Sequence, residues 1–346
     1  MAKGINPNIK LKTRALRTVN QYLEGIRNGD RFILSEVLTL IESNNSEQRS
    51  IGESVLSTLE QTTPNTLRLG ITGSPGSGKS TFIETLGNHF IELGKKVAVL
   101  AIDPSSTKSQ GSILGDKTRM QSLSTNENAF VRPTASANRL GGVAQATKES
   151  ISLCEAAGYD VILIESVGVG QSETELADLV DMFILLLIPG GGDGVQGIKR
   201  GIVELSDMMI VNKYDGDQKL LAEKSRKEFA SSISLFHHDL EGWRVPVALC
   251  SSLKNIGFES VVEKINSFVN TSKTHSYFFA KRNDQDKKWL ALQIKKVLIH
   301  KANQLFEVDA HLTTKEGPKS VFKQLQKINA KINVDFDAFM KQKRND

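Results

Sequence analysis

The sequence predicts an α/β fold with a mostly parallel central sheet flanked by helices, an N-terminal helical segment before it and a C-terminal helical arm after it. Three observations predict this. Short apolar runs alternate with amphipathic stretches through the middle of the chain, the sign of a parallel sheet covered on both faces. One of those runs, Leu67-Arg-Leu-Gly-Ile71, leads into Gly73-Ser-Pro-Gly-Ser-Gly-Lys-Ser-Thr81, a glycine-rich loop that should open a helix. Toward both ends the patterning changes to helical spacing.

Residues 1–62 place apolar positions such as Leu34, Val37, Leu38 and Ile41 at helical intervals, which reads as two or three helices packed onto the main domain. A Pro64-Asn65 turn closes that region. The main domain covers 63–270, with strands at Leu67–Thr72, Val97–Ile102, Val161–Glu165, Met182–Ile188, Met208–Asn212 and Val245–Cys250. Residues 271–346 form the arm. Trp289, Leu290, Ile294, Val297, Leu298 and Leu305 mark one helical stripe, and Val321, Phe322, Leu325, Ile328 and Ile332 mark another after Pro318. These two helices form either a lid on the core or an arm against a second subunit.

A chain of 346 residues can bury a substantial core as one large domain or two smaller units. Its 44 Lys+Arg against 39 Asp+Glu leave a net charge of +5, and only 6% of residues are aromatic. That argues against a nucleic-acid partner, which would call for a concentrated basic stripe or interleaved aromatics. Cys154 and Cys250 stand far apart without a partner motif, so no disulfide framework or Cys-based metal site is expected and a reducing cytoplasm fits. The first residues lack the apolar core of a signal peptide. The longest apolar run, Met182 to Ile188, is far too short for a bilayer of roughly 30 Å, so no membrane partner is expected.

The spacing Gly73-x-x-x-x-Gly78-Lys79-Ser80 is the P-loop pattern. Gly73, Ser74, Pro75, Gly76, Ser77 and Gly78 would curl backbone N–H groups around phosphate oxygens, and the helix beginning at Gly78 would aim its positive end at them. Lys79 would reach the β- and γ-phosphates, the Ser80 hydroxyl would ligate magnesium, and Thr81 completes the motif. Ligands of such sheets gather at the carboxyl ends of strands, where this chain places Asp103-Pro-Ser-Ser, Glu165-Ser-Val-Gly168, Pro189-Gly-Gly-Gly192, Asn212-Lys-Tyr-Asp215 and Ser251-Ser252.

Asn212-Lys213-Tyr214-Asp215 after a buried strand is the guanine-reading pattern N-K-x-D. An Asp215 carboxylate can accept from guanine N1–H and N2–H₂, a donor pair that adenine lacks. Asn212 can bond the base or brace the P-loop, and the Lys213 stem can lie along the ring. Ser251, Ser252 and Leu253 would supply backbone contacts to guanine O6. GTP and GDP with Mg²⁺ are thus the expected ligands.

For hydrolysis, Asp103, Asp116 and Glu165 join Ser80 as candidate magnesium residues, and Gly168 could donate its N–H to the γ-phosphate. Glu165 stands where many P-loop proteins carry an aspartate, which suggests a longer reach. No glutamine directly follows Gly168, and Gln171 is three positions on. Intrinsic turnover should therefore be slow and accelerated by a partner, since supplied groups are worth roughly 10³–10⁵ in rate.

Asp103-Pro-Ser-Ser, Gly111-Ser-Ile-Leu-Gly-Asp-Lys-Thr-Arg-Met120, Glu165-Ser-Val-Gly-Val-Gly-Gln-Ser-Glu173 and Gly190-Gly-Gly-Asp-Gly-Val-Gln-Gly-Ile-Lys199 together resemble the MeaB/ArgK family over roughly Asp30 to Asn270. The resemblance implies a GTP-gated chaperone that helps load adenosylcobalamin into methylmalonyl-CoA mutase, or a related cobalamin-dependent mutase, and protects that enzyme. It also implies a homodimer held by the C-terminal helices, and cobalamin adenosyltransferase is a further candidate partner. In the family's terms Asp103 to Arg119 matches a first switch, Glu165 to Glu173 a second, and Gly190 to Arg200 a third, with Asp193, Gln196 and Lys199 as relay residues. Two departures stand out: Ser251-Ser-Leu replaces the more usual Ser-Ala-Leu, and Ser166 replaces a common Thr.

Three rival readings each lack a feature they require. A P-loop kinase of the transport-kinase type, phosphorylating a protein or amino acid, would need a phosphoacceptor site that no segment clearly forms. A metal-delivery GTPase would need soft or imidazole ligands, yet His237-His238 is the sole close histidine pair and reads as a solvated loop. A protein-targeting GTPase would append a Met-rich groove, which six scattered methionines do not make.

Overall fold

A run such as Met182-Phe-Ile-Leu-Leu-Leu187 has no polar face to give to water, so it must sit in a sheet covered on both sides. The computed structural model describes residues 16–59, 65–103, 120–135, 142–166, 171–190, 200–234, 236–306 and 334, and it contains that sheet. The strands are β1 (Leu67–Gly73), β2 (Val97–Asp103), β3 (Ala129–Ala135), β4 (Val161–Glu165), β5 (Met182–Leu187), β6 (Met208–Val211) and β7 (Val247–Leu249). Their spatial order is β3-β2-β4-β1-β5-β6-β7. Each of these pairings is parallel, so the sheet is more uniform than the expected mostly parallel one.

The sequence predicts six of these strands and misses β3. Pro133 breaks its strand pattern, and an edge position is where a strand tolerates a residue without an N–H. The helices are α1 (Val19–Arg27), α2 (Arg31–Glu42), α3 (Ser46–Thr58), α4 (Lys79–Glu92), α5 (Gln121–Thr125), α6 (Gly142–Ala156), α7 (Gln171–Ala177), α8 (Arg200–Glu204), α9 (Lys219–Ile233), α10 (Phe258–Thr274) and α11 (Tyr277–Phe306). Thr18, Asp30 and Asn45 cap the first three, so the N-terminal segment holds three helices. Arg132 of β3 donates to Glu42 Oε2 at 2.6 Å and Ser35 Oγ at 3.2 Å, fastening α2 to the edge strand.

Strand alternation sorts the core into two layers. Met182, Ile184, Leu186, Met208 and Ile210 pack with Phe82 and Leu86 of α4 and with Phe258, Ile265 and Phe268 of α10. Phe183, Leu185, Leu187, Met209 and Val211 share the other layer with α1, α2, α6 and α9. The chain forms two compact units, Met1–Asn283 and Asp284–Asp346. In the second, α11 exposes Leu290, Val297, Leu298 and Ile299, and the stripe from Val321 to Ile332 lies outside the described residues.

The amino ends of the strands carry a polar base. Asp160, Asp181 and Asp207 accept the backbone N–H groups of Lys96 at 2.8 Å, Arg68 at 2.8 Å and Phe183 at 2.6 Å. Arg282 grips Asp181 through Nε and Nη2, both at 2.6 Å. Asp207 also meets Lys281 at 3.3 Å and His238 Nε2 at 2.7 Å. The Leu240 N–H donates to His238 Nδ1 at 2.9 Å, so the ring proton sits on Nε2 and points at Asp207. This corrects the solvated-loop reading for His238, whose side chain is 8% exposed. Its partner lies 31 residues away, beyond any local pattern.

Burial pushes the Asp207 carboxyl up, but Lys281, His238 and the Phe183 N–H together hold it below the usual aspartate range. A depressed carboxylate contributes stability above that range and loses it as pH falls through its folded pKa. Asp207→Asn should lower the unfolding free energy near neutral pH by about 3 kcal/mol and flatten the fall of stability on the acid side. Urea denaturation over a pH series measures both, and an unchanged acid limb would assign that limb to other carboxylates.

Candidate nucleotide site

β1 lies between β4 and β5, so the loop leaving it opens onto the carboxyl ends of both. Strand register places Ile71 beside Glu165 and Gly73 beside Leu186. At Gly73 a Cβ would come within 2.5 Å of the Leu186 carbonyl and 2.8 Å of Ser77 Oγ, so only glycine lets the loop leave beside β5. Gly78, at φ 85°, is the left-handed N-cap of α4, whose first turn therefore faces the loop.

Lys79 Nζ donates to the Gly73 carbonyl at 2.8 Å and approaches that of Ser74 at 3.4 Å. Burial lowers its pKa, against the pull of Glu165 and Glu173. Ser80 Oγ donates to Glu165 Oε1 at 3.1 Å and lies 3.4 Å from Oε2. A hydroxyl and a carboxylate are the hard oxygen donors that magnesium takes, so Ser80 and Glu165 could hold it. No group of three or more His, Cys, Asp or Glu that could hold a metal occurs among the described residues. Asp103 ends β2. Its side chain, together with Asp116, Gly168, Asp193, Gln196 and Lys199, lies outside the described residues.

Sequence reasoning missed one feature of the phosphate side. Ser166 Oγ donates to Thr72 Oγ1 at 2.8 Å, and Thr72 Oγ1 donates to Glu173 Oε1 at 3.0 Å. All three side chains belong to buried residues. This hydroxyl chain ties β1 to α7, and its partners lie 94 and 101 residues apart. The Ser that departs from the expected Thr at 166 still supplies the hydroxyl the chain requires.

On the base side Asn212 is 2% exposed. Its Nδ2 donates to the Ser77 carbonyl at 2.8 Å, while Oδ1 accepts from Ser252 N at 3.1 Å and Ser252 Oγ at 2.8 Å. Of its two expected roles, the structure shows the bracing one. Cys250 Sγ approaches the same Oδ1 at 3.5 Å, and burial pushes its thiol up to about 12, so it stays a protonated donor. Ser251 Oγ donates to Asp215 Oδ2, which orients the carboxylate expected to read guanine. Lys213 is exposed and left-handed at φ 60°, and Leu253 is 76% exposed. Ser74, Pro75, Gly76 and Thr81 are exposed on the phosphate side. At the exit of β5 the Gly190 N–H donates to Ser225 Oγ at 3.1 Å.

Asn212→Ala should strand the Ser77 carbonyl and the Ser252 donors together. GDP affinity should fall at least about tenfold while the fold persists, measured by calorimetric titration beside a thermal melt. Wild-type affinity in that variant would show that the brace is dispensable.

The match to known proteins covers most of the chain. A family model described as methylmalonyl Co-A mutase-associated GTPase MeaB matches residues 34–306. A putative GTPase of Caulobacter vibrioides is 46% identical over 262 residues, 76% of this chain and 80% of that protein. GTPase ArgK of Escherichia coli is 42% identical, covering 84% of this chain and 86% of its own. The mouse methylmalonic aciduria type A homolog, mitochondrial, is 42% identical, covering 81% and 70%. A solved structure described as a LAO/AO transport system kinase superposes with a TM-score of 0.73 at 32% identity, covering 92% of this chain and 100% of that one. With its family model spanning most of the residues and such relatives on every side, the chain belongs to the MeaB family of methylmalonyl Co-A mutase-associated GTPases.

Proposed function

We propose that this GTPase is a GTP-gated chaperone that controls the loading of adenosylcobalamin into methylmalonyl-CoA mutase, or a related cobalamin-dependent mutase, and protects that enzyme. The observation that carries the guanine-nucleotide part is the Asn212 amide, which makes the phosphate loop and the base loop one site. The family description supports the mutase as client.

Within that site each residue has a stated task. Lys79 offsets phosphate charge, and Asp215 accepts from the guanine N1–H and N2–H₂ with the lone pairs that Ser251 leaves unused. Ser80 and Glu165, with Asp103 and Asp116, would hold magnesium, which neutralises charge on the phosphates when bound. The Gly168 N–H would donate to the γ-phosphate. Asp193, Gln196 and Lys199 relay the nucleotide state to the client.

The exposed apolar residues of α11, Leu290, Val297, Leu298 and Ile299, support a homodimer formed through that helix. Cobalamin adenosyltransferase is the second partner in this reading. Buried free thiols at Cys154 and Cys250 suit the reducing cytoplasm. No helix among the described residues is long and apolar enough to cross a membrane.

A second reading, transfer of the γ-phosphate to a protein or amino acid, is favoured only by the description of the transport-system kinase structure. Labelled γ-phosphate decides between them. Label recovered wholly as free phosphate supports hydrolysis, and label on a second substrate supports the kinase.

Purified alone, the chain should hydrolyse GTP slowly, and addition of its client should raise the rate by roughly 10³-fold or more. Turnover of several per second without a partner would contradict the gating. Pull-downs in GTP-analogue and GDP forms should recover a cobalamin mutase or its adenosyltransferase. Recovery of neither, in both states, would sink the chaperone reading. Lys79→Ala should abolish phosphate binding, whereas Lys199→Ala should keep nucleotide affinity and uncouple the client.

A further inference from the structure

We infer that Thr85 of the P-loop helix α4 is a positioning residue for guanine recognition, holding the Ser252 carbonyl so that the next backbone donor, the Leu253 N–H, is aimed at O6 of the base. The inference deepens the proposed function and rests on the reading of Asp215 and residues 251–253 as the guanine site.

Four consecutive backbone N–H groups line this loop, and three are already engaged. Ser251 N donates to the Ile256 carbonyl at 3.0 Å, Ser252 N to Asn212 Oδ1 at 3.1 Å, and Lys254 N to Ser251 Oγ at 3.1 Å. The Leu253 N–H has no acceptor among the described residues. Its direction is set by its own peptide plane, because in a planar trans peptide N–H and C=O point oppositely. That carbonyl is Ser252 O, and it accepts from Thr85 Oγ1 at 3.0 Å. Thr85 Oγ1 also lies 3.0 Å from the Thr81 carbonyl, which already serves the Thr85 N–H within the helix. Ser252 O has no other donor among the described residues, so the hydroxyl proton is best placed there.

Position in the loop gives the donor its meaning. Ser251, two residues earlier, is bonded to Asp215 Oδ2, so an N–H donor and a carboxylate acceptor belong to one hydrogen-bonded loop. Guanine presents the complement, the O6 acceptor next to the N1–H donor. Adenine would set its amino donors against the Leu253 N–H. Leu253 as a whole is 76% exposed.

A second tie runs from the same helix. His89 Nε2 lies 2.7 Å from Asn255 Oδ1, and its ring stacks on Phe258 at 5.4 Å with planes 5° apart. One rigid element thus offers its N-terminus to the phosphates and its second and third turns to the base loop.

Binding of GDP, IDP and 6-thio-GDP to the full chain, as wild type, Thr85→Val and Thr85→Ser, tests this, with ADP titrated into the wild type as well. IDP lacks the 2-amino group that Asp215 would read, and 6-thio-GDP replaces O6 with a weak acceptor. The expected result is that Thr85→Val weakens GDP about fivefold, the size of one hydrogen bond, narrows the GDP to 6-thio-GDP ratio toward one and leaves the GDP to IDP ratio unchanged. Thr85→Ser should restore the wild-type pattern. Equal weakening of all three nucleotides by Thr85→Val, or no weakening, overturns the proposal, as does a wild type that prefers GDP to ADP yet binds 6-thio-GDP as well as GDP. A wild type that binds ADP as tightly as GDP overturns the guanine-site reading itself.

Discussion

One buried amide joins loops that no strand pairing connects. The phosphate loop leaves β1, Asn212 follows β6, and β5 lies between those strands. The Asn212 N–H donates to the Leu187 carbonyl of β5 at 3.0 Å, which fixes where its side chain begins. From there Nδ2 reaches back to Ser77 and Oδ1 reaches forward to Ser252. An amide at 2% exposure cannot fall back on water, so losing either partner carries the full desolvation cost of about 1–3 kcal/mol. The loops are held by the same bonds that would make their separation expensive.

Rigidity is distributed unevenly along the strands. At their amino ends Asp181 and Asp207 are clasped by Arg282, Lys281 and His238, and breaking one partner of such a buried pair costs about 3–5 kcal/mol. At their carboxyl ends stand glycine-rich turns and side-chain bonds between hydroxyls, amides and carboxylates. Local opening favours the end with fewer strong ties.

What the sequence made legible was local in character. The P-loop and N-K-x-D are contiguous patterns whose geometry follows from the strand before each, and the apolar runs marked six strands because both faces are buried. Strand β3 escaped because Pro133 argues against a strand unless its edge position is known. Thr85 and Ser252 are 167 residues apart, Thr72 and Glu173 are 101 apart, and neither pair has a periodicity or spacing rule to reveal it. His238 reads as a loop residue until Asp207 is placed beside it. Such links arise from strand order, which single-sequence patterning leaves open.

Glu173 also changes the electrostatics of the phosphate side. Lys79 feels two carboxylates, Glu165 and Glu173, both favouring its charged form, while burial opposes it. Ionised, that trio carries one positive and two negative charges before any phosphate arrives. A nucleotide brings several more negative charges into a pocket where water screens them poorly. Helix α4 offsets part of this at its N-terminus, but with a partial charge of only about half a unit. A divalent cation, which Ser80 and Glu165 could hold, would offset a further two of those charges. Glu165 would thus disfavour a bare nucleotide and favour its cation complex. Through Thr72, the neighbouring Glu173 fastens α7 to β1, which puts the start of that helix in the same charged cluster as Lys79.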